Sequence, residues 1–267
     1  MTRILTSIVG IPVLIYLVKF APSPVFLLIA YLAMLVAVYE YFTLIRLTGR
    51  PSFPWLGCAL ASVLMLSFYF TTLKIEFYFP LSALLVLSAA LLSRLDPEAG
   101  LHASAFTILG AWYVGGLMGC LVGVRMVDSG GETGSDLLMM LFVIIWAGDI
   151  FAYLVGKAIG RRRLAAVSPK KTVEGAVGGL VFSILSAIAC RYFFAGQISV
   201  LHAAVLGTVV GVLGQIGDLC ESILKRAAKA KDSGTIIPGH GGILDRIDSL
   251  LFGAPAMYYY FYLFLHR

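Results

Sequence analysis

About nine apolar runs follow one another along this chain, and they constrain its fold class before any single residue is considered. They cover residues 3–18, 24–45, 54–73, 77–93, 104–125, 136–158, 173–194, 199–224 and 249–265. A helix needs about 20 consecutive apolar residues to cross a bilayer. Inside the bilayer every backbone N–H and C=O must bond within the protein, which leaves helices or closed barrels. These runs are continuous rather than alternating, which argues against a barrel. The composition agrees: 60% of the 267 residues are apolar and 13% charged, against about 25% charged in soluble domains. The expected fold is therefore all-α, a polytopic integral membrane bundle of about nine transmembrane helices. No polar stretch is long enough to fold separately, so one continuous membrane domain is expected. Spans 1 to 5 fall in residues 1–135, and spans 6 to 9 with their loops in 136–267. Met1 to Val18 is read as a retained first helix rather than a signal peptide, since Pro12 and Lys19 suit a leader poorly.

The cations sort by side. With the N-terminus inside, the inner loops hold Arg3, Arg46, Arg50, Arg94, Lys157, Arg161, Arg162, Arg163, Lys170, Lys171, Lys225, Arg226, Lys229, Lys231 and Arg246. The outer set is Lys19, Lys74, Arg125, Arg191 and Arg267. Fifteen against five predicts a cytoplasmic N-terminus in a multi-pass cell membrane protein. The acidic loop with Asp128, Glu132 and Asp136 then lies outside. A net charge of +6 spread over short loops suits anionic lipids and phosphate substrates, not nucleic acid. Cys58, Cys120, Cys190 and Cys220 are scattered and form no C-x-x-C, so they are read as packing residues.

The eighth run carries Asp218, Glu221, Ser222 and Lys225 at i, i+3, i+4 and i+7, one face of a helix. A charge at the bilayer centre costs about 2.5–3.5 kcal/mol even on the mild scale. Such a stripe must face a cavity or other polar groups. Asp149 lies deep in the sixth run, after Trp146-Ala-Gly, and is a natural partner. Asp149, Asp218 and Asp245 together would make a hard, all-oxygen site suited to Mg²⁺. Thiolates and paired histidines are missing from it, which argues against zinc. Glu40, between Tyr39 and Tyr41, is read as an interface or helix contact.

Two loops complete the polar inventory, and both fall on the cytoplasmic side. Residues 157–172 hold Arg161-Arg-Arg163, read as a lipid-facing anchor, and then Ser168-Pro169-Lys170-Lys171-Thr172. Thr172 or Ser168 can cap the next helix, with Glu174 in its first turn. Lys170 and Lys171 at that N-terminus make a phosphate site. Residues 225–248 hold Gly239-His240-Gly241-Gly242, where backbone can approach a ligand closely. Asp245 and Asp248 follow at i, i+3, and Arg246 can clamp a phosphate. Lys225 and Arg226 sit at a helix C-terminal end, where the dipole favours cations. An acid cluster and two anion-binding loops on one side of a membrane are equipment for phosphoryl or nucleotidyl transfer. The chain has neither a Walker A nor a dinucleotide glycine pattern.

The run Ser222-x₂-Lys225-Arg226-x₄-Lys231-Asp232-x-Gly234-x₂-Ile237-Pro238-x-His240-Gly241-Gly242-x₂-Asp245-Arg246-x-Asp248 resembles the signature of the phosphatidate cytidylyltransferases, or CDP-diacylglycerol synthases. The segment Ser168–Gly175 and the position of Asp149 resemble the bacterial members. The resemblance implies that CTP and phosphatidate give CDP-diacylglycerol and pyrophosphate, that Mg²⁺ is required, and that the enzyme is a homodimer. It places the metal on Asp218 and Asp245, supported by Asp149 and Asp248. The surplus of carboxylates leaves room for a second, monovalent cation such as K⁺. Lys170, Lys171, Lys225, Arg226 and Arg246 would bind the phosphates. Ser168, Thr172, Ser222, Lys231, His240, Gly241 and Gly242 would line the substrates. The rival readings are a CTP-dependent polyprenol kinase, a CDP-archaeol synthase and an ion-coupled transporter. Crowding of the motifs into one half of the chain counts against the transporter.

Overall fold

The structure is a computed structural model that describes residues 2–70, 72–73, 75–127, 132–236 and 241–265. The apolar runs form α1 (Thr2–Lys19), α2 (Ser23–Leu47), α3 (Pro54–Ser67), α4 (Tyr78–Leu92), α5 (Pro97–Gly110), α6 (Leu117–Arg125), α7 (Glu132–Ile159), α8 (Val173–Phe193), α9 (Val200–Ala227) and α10 (Leu244–Tyr260). A π-helical stretch, Ala111–Gly116, joins α5 to α6, so Pro97–Arg125 is one rod. Among the described residues, six helices are long and apolar enough to cross a membrane, and Gly10–Lys19 and Pro54–Ser67 are shorter apolar helices. The protein is an all-α polytopic membrane protein.

Local chemistry moved several boundaries. The fifth run begins at Pro97 rather than 104, because Asp96 Oδ1 accepts from Ala99 N (2.9 Å) and Pro97 occupies the first helical position. The third helix ends at Ser67, short of residue 73. The last begins at Leu244 rather than 249. The loop 157–172 contains an antiparallel hairpin, β1 (Arg163–Ala165) and β2 (Ser168–Thr172), with Arg163 opposite Thr172. Strands this short and polar have no apolar alternation to announce them.

The chain divides into two compact units, each built from separated segments. The first comprises Met1–Ile8, Pro24–Gly123 and Leu224–Arg246. Its core holds Met34, Ala37, Tyr41, Leu44 and Met65. Tyr41 donates to the Phe106 carbonyl (3.1 Å). At Gly115 a Cβ would meet Ala61 Cα at 2.5 Å, so α3 and the rod touch through backbone.

The second unit comprises Val9–Ser23, Val124–Ile223 and Ile247–Arg267. There α7 and α8 pack through small residues, as membrane helices do. A Cβ at Gly179 would lie 2.7 Å from the Gly148 carbonyl oxygen, and one at Gly175 2.6 Å from that of Ala152. Ser183 donates to Ile144 O (3.1 Å), and Gln215 ties α9 to α8 by donating to Ala176 O (3.0 Å). Gly207 and Gly211 face Ile184 and Ser183, so that pair serves packing inside the chain. Lys19 pairs with Asp136, and Arg125 donates to Ala21 O (3.2 Å). The end of α1 and the start of α7 therefore lie at one level. All four cysteines are free thiols.

Candidate active site

The second unit gathers three carboxylates. Asp218 and Glu221 are one turn apart on α9, and Asp248 lies near the start of α10. One oxygen from each lies within 4.8 Å of the others. Gly217 permits this: a Cβ there would sit 2.6 Å from the Asp248 carbonyl oxygen. Glu221 is fully buried, Asp218 and Asp248 partly. Lys171, from β2, pairs with Asp218. Two carboxylates at that separation repel by about 3–4 kcal/mol at an effective dielectric of about 20. Lys171 offsets part of this at Asp218, and three carboxylate oxygens this close fit a hard divalent cation with oxygen ligands. Asp149 lies exposed on α7 and is not one of the three. Ser222 is buried on α9.

The Lys170-Lys171 segment is held by its neighbours. Thr172 is the cap of α8: its Oγ1 accepts from Gly175 N (3.1 Å). Glu174 in the first turn accepts from the backbone N–H of Arg161 (3.0 Å) and of Arg162 (3.2 Å). The carboxylate thus ties the hairpin's entry to the helix start. Lys170 is exposed on β2, and Ser168 pairs across the hairpin with Ala165.

The first unit holds a second constellation, in the loop after α9. That helix ends with Lys229 in the left-handed region (φ 53°). Lys229 N bonds Arg226 O (3.0 Å) and Ala230 N bonds Lys225 O (2.9 Å), a closing motif that satisfies the last carbonyls. Asp245 is then surrounded by donors. Lys225 Nζ lies 2.6 Å from Oδ1, while Ser233 N (2.8 Å) and Gly242 N (2.9 Å) donate to Oδ2. The Ser233 hydroxyl is 2.9 Å from both Asp245 Oδ2 and Glu40 Oε2, so one proton serves two carboxylates. Glu40, 2% exposed on α2, also accepts from Ile243 N (3.0 Å) and Leu244 N (2.8 Å). It caps α10, which is why that helix starts early.

The motif glycines fit these carboxylates closely. A Cβ at Gly242 would lie 2.2 Å from Ser233 Oγ and 2.4 Å from Glu40 Oε2. Gly241 has φ +81°, and a Cβ there would lie 2.7 Å from Asp245 Oδ2. The close approach expected of this segment is made to the protein's own carboxylates. His240 lies outside the described residues, as do Ile237 to Gly239. Arg226, Lys231 and Arg246 are exposed, and Arg226 reaches Ala230 O (3.4 Å).

Asp245 lies outside the membrane-spanning segments. Burial by itself raises its pKa, but the Lys225 ammonium and the N–H groups of Gly242 and Ser233 outweigh it and bring the value to about 2. A depressed folded value means that the group stabilises the fold above its unfolded pKa of about 3.9. That stability is lost as pH falls from about 4 through about 2. Thermal unfolding in detergent between pH 6 and pH 3 is expected to show a steeper acid loss for the native chain than for Asp245→Asn. Parallel slopes would remove this account of Asp245.

The structure thus brings Asp218, Asp248 and Lys171 together, and separately Asp245, Lys225, Gly241 and Gly242. Glu221 belongs to the first group; its place in the polar stripe was the only sign in the sequence. Glu40 is a helix contact, one of the two readings its sequence position offered, but its capping of α10 and its link to Ser233 had no signal in the sequence.

The chain resembles proteins of known type along its whole length. The model of the Cytidylyltransferase family matches residues 1–264. A Synechocystis protein named phosphatidate cytidylyltransferase is 34% identical over 98% of this chain and 97% of its own length. A Staphylococcus haemolyticus protein of the same name is 30% identical over 96% of both. One from Bacillus subtilis is 41% identical over 60% of this chain and 58% of its own. A family match over residues 1–264 covers both constellations, and so the chain belongs to the cytidylyltransferase family.

Proposed function

We propose that this chain is a membrane phosphatidate cytidylyltransferase, which converts CTP and phosphatidate to CDP-diacylglycerol and pyrophosphate in phospholipid biosynthesis. The observation that carries the reading is the Asp218–Glu221–Asp248 set with Lys171 beside it, inside a chain of this family. Polyprenol kinase, CDP-archaeol synthase and transporter readings are not favoured by the relatives. A phosphate oxygen of phosphatidate attacks the α-phosphorus of CTP. The bond to the β-phosphate oxygen breaks in line, and pyrophosphate leaves. The nucleophile is already anionic near neutral pH, so no strong general base is needed.

The residues therefore act by positioning and by offsetting charge. Asp218, Glu221 and Asp248 would hold Mg²⁺. When bound, the ion would neutralise phosphate charge and orient the triphosphate. The metal roles of Asp149 and Asp245 rest on their oxygen chemistry and on the resemblance, and a second cation such as K⁺ on the surplus of carboxylates. Lys170 and Lys171 meet anionic oxygens at the head of α8, and Lys225, Arg226 and Arg246 do so at their loop. Ser168 and Thr172 are assigned to substrate contact by the Ser168–Gly175 segment, and Ser222, Lys231 and His240 by the Ser222–Asp248 motif. The distribution of Lys and Arg supports a cytoplasmic face for both loops in the cell membrane. The homodimer is proposed from the resemblance.

The test uses purified protein, phosphatidate, Mg²⁺ and CTP labelled at the α- or the γ-phosphate. The α-label is expected in the lipid and the γ-label in pyrophosphate. The γ-label in the lipid would replace this reading with a kinase.

A further inference from the structure

The groove between α2 and α3 contains none of the motif residues. It has a volume of about 580 Å³, within the about 300–1,000 Å³ of small-molecule sites. Its wall is largely apolar, and no carboxylate lines it. Leu35, Val38, Phe42 and Arg46 line it from α2, at spacings that place them on one helix face. From Leu35 to Arg46 the helix rises about 16 Å. That is close to half of the about 30 Å hydrocarbon core, the depth of one leaflet.

The charged end is equally well defined. Arg46 and Arg50 both line the groove and both are exposed. Among the described residues no carboxylate pairs with either. Arg46 lies in the last turn of α2, where the helix dipole suits a cation. Arg50 lies beyond the helix, after Gly49 at φ +76°, so the dipole does not explain it. Arg50 Nη1 is 3.3 Å from His102 Nδ1, which holds the side chain in place. Trp55, 90% exposed, stands on the rim. Exposed tryptophans gather at the headgroup level of membranes.

We propose that the α2–α3 groove binds one anionic glycerophospholipid, its phosphate on Arg46 and Arg50 and one acyl chain along the Leu35–Phe42 face. Basic pockets between membrane helices bind anionic headgroups in this way. The occupant is a membrane lipid, because a soluble phosphate would leave the apolar length of the groove unfilled. None of the groove's lining residues belongs to the carboxylate constellations, and the proposal does not depend on the proposed reaction.

Trp55 supplies the readout. With Trp112→Phe and Trp146→Phe it is the single tryptophan of the three in the chain. The protein is placed in phosphatidylcholine vesicles carrying either brominated-chain phosphatidylglycerol or brominated-chain phosphatidylcholine. The anionic lipid is expected to quench Trp55 half-maximally at a clearly lower mole fraction. Each arginine near an anionic headgroup accounts for about fivefold in affinity, so Arg46→Gln with Arg50→Gln weakens that preference about 30-fold. Arg46→Lys with Arg50→Lys retains most of it. Inorganic phosphate at constant ionic strength leaves it unchanged. Equal quenching by the two lipids, no effect of the double Gln variant, or displacement by inorganic phosphate would each overturn the proposal. Native mass spectrometry of lipids retained by the chain with its tryptophans intact makes the same comparison.

Discussion

Glu221→Gln is expected to lower cytidylyl transfer by at least about 100-fold while raising the melting temperature of the metal-free protein. Loss of even an outer-shell partner of a metal costs about 10–100-fold, and a direct ligand more. Glu221 is fully buried, within 4.8 Å of Asp218 and Asp248. It is the most buried of the three, so desolvation weighs most on its charge. Glutamine has the same shape and removes that charge. Mg²⁺ should in turn stabilise the native chain, by about 2.7 kcal/mol at a hundred times its Kd, and barely stabilise the variant. A structural carboxylate gives the reverse pattern: lower stability in both conditions and a Mg²⁺ effect that survives. Thermal scans with and without Mg²⁺, beside the labelled-CTP assay, separate the two. If Glu221→Gln keeps both its activity and its Mg²⁺ stabilisation, the metal assignment fails.

Glu40→Ala is expected to destabilise the protein by roughly 3–5 kcal/mol and to reduce activity from a position far from the motif in sequence. The side chain is buried and accepts from Ser233 Oγ, Ile243 N and Leu244 N. Its removal leaves the Ile243 and Leu244 N–H groups without this acceptor, at about 1–3 kcal/mol for each one buried. It also releases the α10 start and one side of the Ser233 hydroxyl shared with Asp245. Glu40→Gln should fall between, because its amide nitrogen would face a backbone N–H. Glu98→Ala, at an exposed position, serves as a control and should stay within about 0.5 kcal/mol. Unfolding in detergent gives the stabilities. A Glu40→Ala protein as stable as the control would mean that the cap contributes nothing.

Helical period placed Asp218 and Glu221 on one face of α9, and the structure keeps them together. The same period paired Asp248 with Asp245, whereas the structure groups Asp248 with Asp218 and Glu221 and gives Asp245 other neighbours. The i, i+3 step on α9 is local geometry, so it survives any tertiary arrangement. A cap of α8 at Thr172 or Ser168 was legible for the same reason, since such a cap needs no distant partner, and the structure takes Thr172. The hairpin at 163–172 was not legible, because two short polar strands carry no periodicity. Nor was the early start of α10. Its cap comes from Glu40, and nothing near Leu244 in the chain reports a carboxylate two hundred residues away.

The sequence by itself determined the class of fold. The bilayer admits helices and closed barrels, and apolar runs of membrane length that are continuous rather than alternating select the helices. It also determined the chemistry on offer: carboxylates and cations in a family motif. Which carboxylate meets which partner was decided by tertiary structure alone. Gly217 brings the Asp248 backbone against α9, and Lys171 reaches Asp218 from β2. Asp245 instead takes Lys225, Ser233 and Gly242 as neighbours under the Glu40 cap. Charges in a low-dielectric setting settle with whatever donors packing puts within about 3 Å, and packing between distant segments is not written in local spacing.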